Sequence, residues 1–250
     1  MLAKRIVVAL DIKNGKVVKG IQFKNIREAG NPAMLAKRYE KEGADEIVFL
    51  DITASVEKRG IILNLVKEVA TTLFVPLTVG GGLKTVDEMK KIIANGADKI
   101  FINTRAVLEP HLIEKAKKEI GSANIVIAID AKWNGKYFEV YTHGGKEKTN
   151  IDATEWAEEV ELRGAGEILL TSIDKDGTKE GFDIDLLDAI RRKTNLPIII
   201  SGGAGKKEHF LEAFKHGAQA ALAASVFHYN LISIYELKKY LTSKGVKVRL

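Results

Sequence analysis

Short apolar runs alternate with helix-length amphipathic stretches along the whole chain. Eight runs stand out: Arg5–Asp11, Glu46–Asp51, Pro76–Gly80, Lys99–Asn103, Ile125–Asp130, Glu167–Ser172, Ile198–Gly202 and Ala220–Ala224. The segments between them carry helical spacing, as in Thr85–Asn95 and Lys206–His216. That rhythm predicts βα units around a parallel sheet. Eight such units in 250 residues close naturally as a single (β/α)8 TIM barrel in the α/β class. An open doubly wound sheet is the alternative, and an internal repeat disfavours it.

The repeat is read from five landmarks. Gly43-Ala44-Asp45-Glu46-Ile47 recurs as Gly164-Ala165-Gly166-Glu167-Ile168, 121 residues later. Pro76 and Pro197, Gly81-Gly82 and Gly202-Gly203, and Gly96-Ala97-Asp98 and Gly217-Ala218-Gln219 keep the same offset. Leu10-Asp11 matches Ile129-Asp130 at 119. An offset near half the chain makes each repeat four βα units, roughly residues 1–121 and 122–250, within one barrel domain.

Composition narrows the chemistry. The chain has no cysteine, which excludes disulfides, thiolate metal sites and a cysteine nucleophile. No apolar run approaches the roughly 20 residues of a membrane span, and Met1-Leu2-Ala3-Lys4-Arg5 leads directly into a strand-like run, so the expectation is a cytoplasmic protein without a signal peptide. The net charge of +6 is spread over the helices rather than gathered in one stripe, which reads as solvated faces and not as a nucleic-acid surface. A milder consequence is attraction of an anionic small molecule. The five histidines are scattered and no metal-ligand spacing occurs, so neither metal nor cofactor is expected.

The strand ends hold the candidate site. Val79-Gly80-Gly81-Gly82 closes the third run and Ser201-Gly202-Gly203-Ala204-Gly205 the seventh. Glycine lets backbone N–H groups approach an oxyanion closely, and barrels commonly seat phosphate in the loops after the late strands with a short extra helix. Ala224-Ser225-Val226-Phe227-His228 is placed to begin such a helix, and its counterpart at the same offset is Asn103-Thr104. Two matched sites predict a ligand with two phosphates. Asp11 and Asp130 end the first and fifth runs, on opposite sides of a barrel of eight. Carboxylates at this rim read as catalytic, here as general acid and general base flanking a bisphosphate. At the other end, the parity of alternating side chains points Arg5, Glu46, Lys99 and Glu167 into the barrel. They form either a salt-bridged plug or the polar mouth of a passage.

These residues together resemble a known family, the cyclase subunit of imidazole glycerol phosphate synthase. The resemblance rests on Ala9-Leu10-Asp11-Ile12-Lys13 with Gly15-Lys16-Val17-Val18-Lys19-Gly20, and on Phe49-Leu50-Asp51-Ile52-Thr53-Ala54-Ser55. It extends through Thr78-Val79-Gly80-Gly81-Gly82, Ala128-Ile129-Asp130-Ala131-Lys132, Ser172-Ile173-Asp174-Lys175-Asp176-Gly177-Thr178 and Ser201-Gly202-Gly203-Ala204-Gly205, so that it covers essentially the whole chain. The Asp51–Ser55 stretch resembles the cyclase rather than its sister, the phosphoribosyl-formimino isomerase, which shares the duplicated barrel and needs no ammonia.

The resemblance implies conversion of phosphoribulosyl-formimino-aminoimidazole-carboxamide ribotide and ammonia to imidazole glycerol phosphate and aminoimidazole carboxamide ribotide. It implies Asp11 and Asp130 as the acid/base pair. Gly82, Asn103 and Thr104 would hold one phosphate; Asp176, Gly177, Gly203, Ala204, Ala224 and Ser225 would frame the other. Lys19 would lie in a mobile loop, Lys13–Asn31, that covers the substrate. The family's ammonia comes from a separate glutaminase docked on the N-terminal face of the barrel; such glutaminases need a cysteine, so the partner here must be a second polypeptide in a heterodimer. Arg5, Glu46, Lys99 and Glu167 match the family's ammonia gate, and Asp98 resembles an interface residue. Two positions depart from the family pattern. Ala9 stands where many members have cysteine, and Phe101 where a small residue is expected, pointing inward at mid-barrel. A non-catalytic barrel scaffold is the rival of another class; intact Asp11, Asp130 and Lys19 oppose it.

Overall fold

The computed structural model describes residues 2–21, 24–52 and 59–250, with the backbone alone over 19–21, 24–29 and 59–61. In chain order its elements are β1 (Arg5–Lys13), β2 (Lys16–Ile21), β3 (Lys24–Gly30), α1 (Pro32–Lys41), β4 (Glu46–Asp51), α2 (Arg59–Ala70), β5 (Leu77–Gly80), α3 (Val86–Ala94), β6 (Lys99–Ile102), α4 (Thr104–Leu108) and α5 (His111–Ile120). There follow β7 (Ile125–Trp133), β8 (Phe138–Thr142), β9 (Glu147–Asp152), α6 (Ala153–Arg163), β10 (Glu167–Ser172), α7 (Ile184–Arg191), β11 (Ile198–Ser201), α8 (Lys207–Lys215), β12 (Ala220–Ala223), α9 (Ser225–His228) and α10 (Ile234–Ser243).

Each of the eight apolar runs became a strand, and the eight close on one another. Parallel pairings run β1–β4–β5–β6–β7–β10–β11–β12 and back to β1. The β12–β1 and β7–β10 pairings exclude the open sheet. Alternation then sorts the side chains into two cores. Val7, Val48, Phe101, Val126, Ala128, Leu169, Ile199, Ala220 and Leu222 pack together inside the barrel, with Ala9 and Leu50 against them. Ile6, Val8, Leu10, Ile47, Phe49 and their equivalents face outward and are covered by the apolar stripes of the helices.

Helix boundaries follow local chemistry. Thr85 and Glu88 form a reciprocal capping box at α3, and Asp183 caps α7 through the Leu186 N–H. At the N-terminal rim, the side chain preceding three of the four even-numbered barrel strands accepts a backbone N–H from the strand before it; Gly166, before β10, has none. Asp45 accepts from Ile6, Asp98 from Leu77 and Gln219 from Ile198, each at 2.8 Å. These bonds fasten neighbouring strand starts that have no ladder partner there. Among the described residues no helix is long and apolar enough to cross a membrane.

The expected loop Lys13–Asn31 is corrected. It is an antiparallel hairpin, β2 pairing with β1 and β3 with β2. Asn14 and Gly15 both take positive φ, 51° and 76°, the backbone of the tight turn that Asn-Gly favours between strands. A second antiparallel excursion, β8–β9, leaves β7 in the same way. The two hairpins leave the barrel strands that carry Asp11 and Asp130, so each flanks the C-terminal mouth.

Candidate active site

The glycine turns at the mouth are required by geometry. Gly81 and Gly82 take φ of 105° and 60°, and Gly202 and Gly203 take 87° and 98°, a conformation that residues with a Cβ rarely adopt. A Cβ on Gly81 would meet the Asp51 carbonyl oxygen at 2.1 Å, and one on Gly202 the Ser172 carbonyl oxygen at 2.9 Å. Asp51 and Ser172 are themselves 121 residues apart, so the two turns are built alike in space as well as in sequence. Each is followed by a strand that ends in a short helix, α4 after Asn103 and α9 after Ala224. The two residues before those helices have nearly the same φ, −122° and −123°.

The remaining candidates gather beside these turns. A Cβ on Gly202 would lie 3.6 Å from Asp176, which places the segment after β10 against the second turn. Gly181 N–H donates to the Gly203 carbonyl at 2.8 Å, and a Cβ on Gly203 would strike the Gly181 carbonyl at 2.0 Å. Gly177 takes φ of 77° in the same segment. Thr104 Oγ1 accepts the His143 N–H at 2.8 Å, which ties the β8–β9 turn to the start of α4. Lys19 lies on β2, with its side chain outside the described residues. Thr53, Ala54 and Ser55 of the family-like Asp51–Ser55 stretch also lie outside them.

Asp11 and Asp130 sit at corresponding heights on opposing strands. Asp11 pairs in register with Leu50 on β4 and Asp130 with Thr171 on β10. Burial pushes each carboxyl up to about 6, and the charge of Asp176 adds to the shift at both. At Asp130 a hydrogen bond from Asn103 Nδ2, 2.8 Å to Oδ2, acts in the opposite direction. Asp176 is also raised by desolvation, against a backbone hydrogen bond from Gly177. A carboxyl near 6 holds and releases protons at neutral pH, which an ordinary aspartate does poorly. Among the described residues no three His, Asp or Glu side chains gather as metal ligands.

The opposite end of the barrel is closed by charge. Arg5 bonds Glu46 at 2.6 Å and also bonds Glu167. Lys99 reaches the same two carboxylates at 3.1 and 2.8 Å. The four residues make a neutral ring across the barrel, and Glu46 is fully buried within it. Thr78 donates to Glu46 at 2.6 Å, a fifth member that the sequence reading missed; its parity with Gly80 is the signal that points it inward. Asp98, the expected interface residue, spends one oxygen on Leu77 N–H and is otherwise exposed at this rim. Above the ring lies Phe101, the one aromatic side chain of the interior core among the described residues and 6% exposed.

Residues 5–233 match the family described as histidine biosynthesis protein. The chain is 65% identical over 250 residues to the imidazole glycerol phosphate synthase subunit HisF of Thermococcus onnurineus (strain NA1), covering 100% of this chain and 99% of the relative. It is 64% identical over 250 residues to the subunit of that name from Pyrococcus furiosus, covering both chains in full. To that of Petrotoga mobilis it is 57% identical over 253 residues, again covering both in full. The chain therefore belongs to the histidine biosynthesis family and, within it, to the HisF subunits of imidazole glycerol phosphate synthase.

Proposed function

We propose that this HisF-family enzyme is the ammonia-using cyclase and lyase of that synthase. Its substrates would be phosphoribulosyl-formimino-aminoimidazole-carboxamide ribotide and ammonia, and its products imidazole glycerol phosphate, aminoimidazole carboxamide ribotide and water. The observation that carries the reading is the pair of carboxyls on opposing strands, both raised to about 6 at the mouth of the barrel. Incoming ammonia must lose protons and the departing nitrogen must gain one. A neutral and an ionised carboxyl on opposite faces of the substrate supply both transfers.

The two phosphates of such a ribotide would lie at the two glycine turns. One would lie against Gly82, Asn103 and Thr104, the other against Gly203, Ala204, Ala224 and Ser225, with Asp176 and Gly177 at its edge. Backbone N–H groups in left-handed turns form anion-binding concavities of this kind. Lys19, on a hairpin that leaves the Asp11 strand, would close over the substrate. The two half-barrels would then each contribute one phosphate site and one carboxylate.

Ammonia would come from a separate glutaminase subunit on the N-terminal face, because this chain has no cysteine for that chemistry. Asp98 is exposed at that face. Arg5, Glu46, Lys99 and Glu167 would form the gate that ammonia crosses, and Phe101 would be the next obstacle inside. The test is turnover of the ribotide by the purified chain with ammonium salts and no partner. Release of aminoimidazole carboxamide ribotide is expected; a bound but unchanged ribotide would overturn the reading.

A further inference from the structure

Asn103 stands immediately before α4, where a side chain ordinarily caps the helix. It makes no capping bond. Its amide turns into the barrel instead, where Nδ2 donates to Asp130 Oδ2 at 2.8 Å. Its Oδ1 is buried and has no hydrogen-bond partner among the described residues. The residue therefore forgoes a cap and leaves an acceptor unpaired in order to hold one carboxylate oxygen, an arrangement that stability alone does not favour.

The repeat isolates the effect. Ala224 occupies the position 121 residues later, with the same relation to β12 and α9 and nearly the same φ. Alanine has no donor in its side chain, so Asp11 receives no amide from the corresponding place. Two aspartates that stand alike on their strands thus differ in this neighbour. Among the described residues, the groups facing Asp130 include Asp176 from the segment after β10, Tyr141, its register partner on β8, and Thr171, its register partner on β10. None of these is a cation.

We propose that Asn103 is a positioning residue that pins Asp130 Oδ2 and leaves Oδ1 as the oxygen that exchanges the proton. The proposal rests on reading Asp130 as an acid/base group. A hydrogen bond to the ionised form favours that form, so Asn103 also offsets part of the rise that burial imposes on Asp130.

Two variants test this. Asn103→Leu removes the donor at similar volume, and Asn103→Asp keeps the shape while adding a second carboxyl that must share a proton with the first. Both keep the backbone N–H. Carboxyl ¹³C NMR titration of the whole chain, assigned with Asp11→Asn and Asp130→Asn, reads each midpoint without needing turnover. The Asp130 midpoint is expected to rise by about one pH unit in Asn103→Leu, the worth of one charge-assisted hydrogen bond, and further in Asn103→Asp. The Asp11 midpoint should stay. In turnover at constant free ammonia, the limb of the kcat profile that belongs to Asp130 should rise by the same amount. An Asp130 midpoint unmoved in both variants overturns the proposal, as does a fall in kcat with both limbs in place. If the midpoint moves while the wild-type chain turns over no ribotide, Asp130 is not the acid/base group, and the pairing with Asn103 still stands.

Discussion

The ring of Phe101 lies directly over Gly80. The two residues are register partners on β5 and β6, and a Cβ built on Gly80 would fall 2.4 Å from Cδ1 and Cε1 of the ring. The missing side chain on one strand thus makes room for the large one on the next. Phe101 fills the middle of the barrel between the charge ring and the mouth, in contact with a core of valine, alanine, leucine and isoleucine.

That fit gives a double-mutant cycle. Gly80 does not take positive φ, so its backbone tolerates alanine, and the cost of Gly80→Ala comes from the ring. We expect Gly80→Ala to lose about 1–3 kcal/mol by overpacking and Phe101→Ser to lose about 3 kcal/mol or more. The double variant should be more stable than the sum of the two losses predicts, by about 0.5–3 kcal/mol, the usual size of coupling between contacting residues. Denaturant unfolding of the four proteins measures it. Phe101→Ser should also change glutamine-dependent turnover, measured with a matched glutaminase, more than ammonium-dependent turnover, which reaches the mouth from solvent. Equal factors in the two assays would reduce Phe101 to a packing residue.

The charge ring at the other end makes a contrasting prediction. Glu46 is fully buried and serves Arg5, Lys99 and Thr78 together. Glu46→Ala leaves the partly buried Arg5 and Lys99 short of a partner and is expected to cost about 2–4 kcal/mol, below the figure for a fully buried pair. Glu119→Ala removes the exposed pair of Lys90 with Glu119 and should leave stability close to that of the parent chain, because solvent screens such a pair. Urea titrations of the two variants give the comparison directly.

The raised carboxyls carry a stability cost that pH exposes. Asp11 binds its proton more tightly in the fold, near 6, than an aspartate does in the unfolded chain, near 3.8. Its contribution is therefore present in full below about pH 4 and is lost as pH rises through 6. Asp11→Asn should be more stable than the wild type at pH 8, by about 1–3 kcal/mol after allowance for partial exposure. The advantage should vanish below about pH 4. Thermal melts across that range test the sign; a variant less stable than the wild type at pH 8 would contradict it.

Crystals grown or soaked in phosphate should show two anions at the mouth, one at the Gly82 and Asn103 turn and one at the Gly203 and Ser225 turn. Anions at one turn only, or only on surface lysines, would argue against a bisphosphate ligand.

Much of this was legible in the sequence because the barrel repeats itself. Near-continuous apolar runs identified all eight barrel strands, and the offset of 121 residues paired the glycine turns that take the same left-handed angles in space. Thr85–Asn95 was legible to its caps, since Thr85 and Asn95 are the residues that bound α3. The hairpins were not read. Asn14-Gly15 carried the turn signal for the first, but the polar residues of β2 and β3 show little of the alternation that marks a strand with one buried face. The partnership of Asn103 with Asp130 was also invisible, because the two are 27 positions apart and meet only when β6 and β7 pair. Parity placed Arg5, Glu46, Lys99 and Glu167 inside the barrel, yet whether they formed a closed ring depended on side-chain reach, which no pattern of residues encodes.

The most direct test of the central claim is ammonium-dependent turnover of the ribotide by the purified chain and by its Asp11→Asn and Asp130→Asn variants. The wild type should release aminoimidazole carboxamide ribotide without a partner subunit. Each variant should stay folded, bind the ribotide, and turn it over on the order of 10²-fold to 10⁴-fold more slowly, the span expected for a general acid or base. Near-normal turnover by either folded variant would contradict the account.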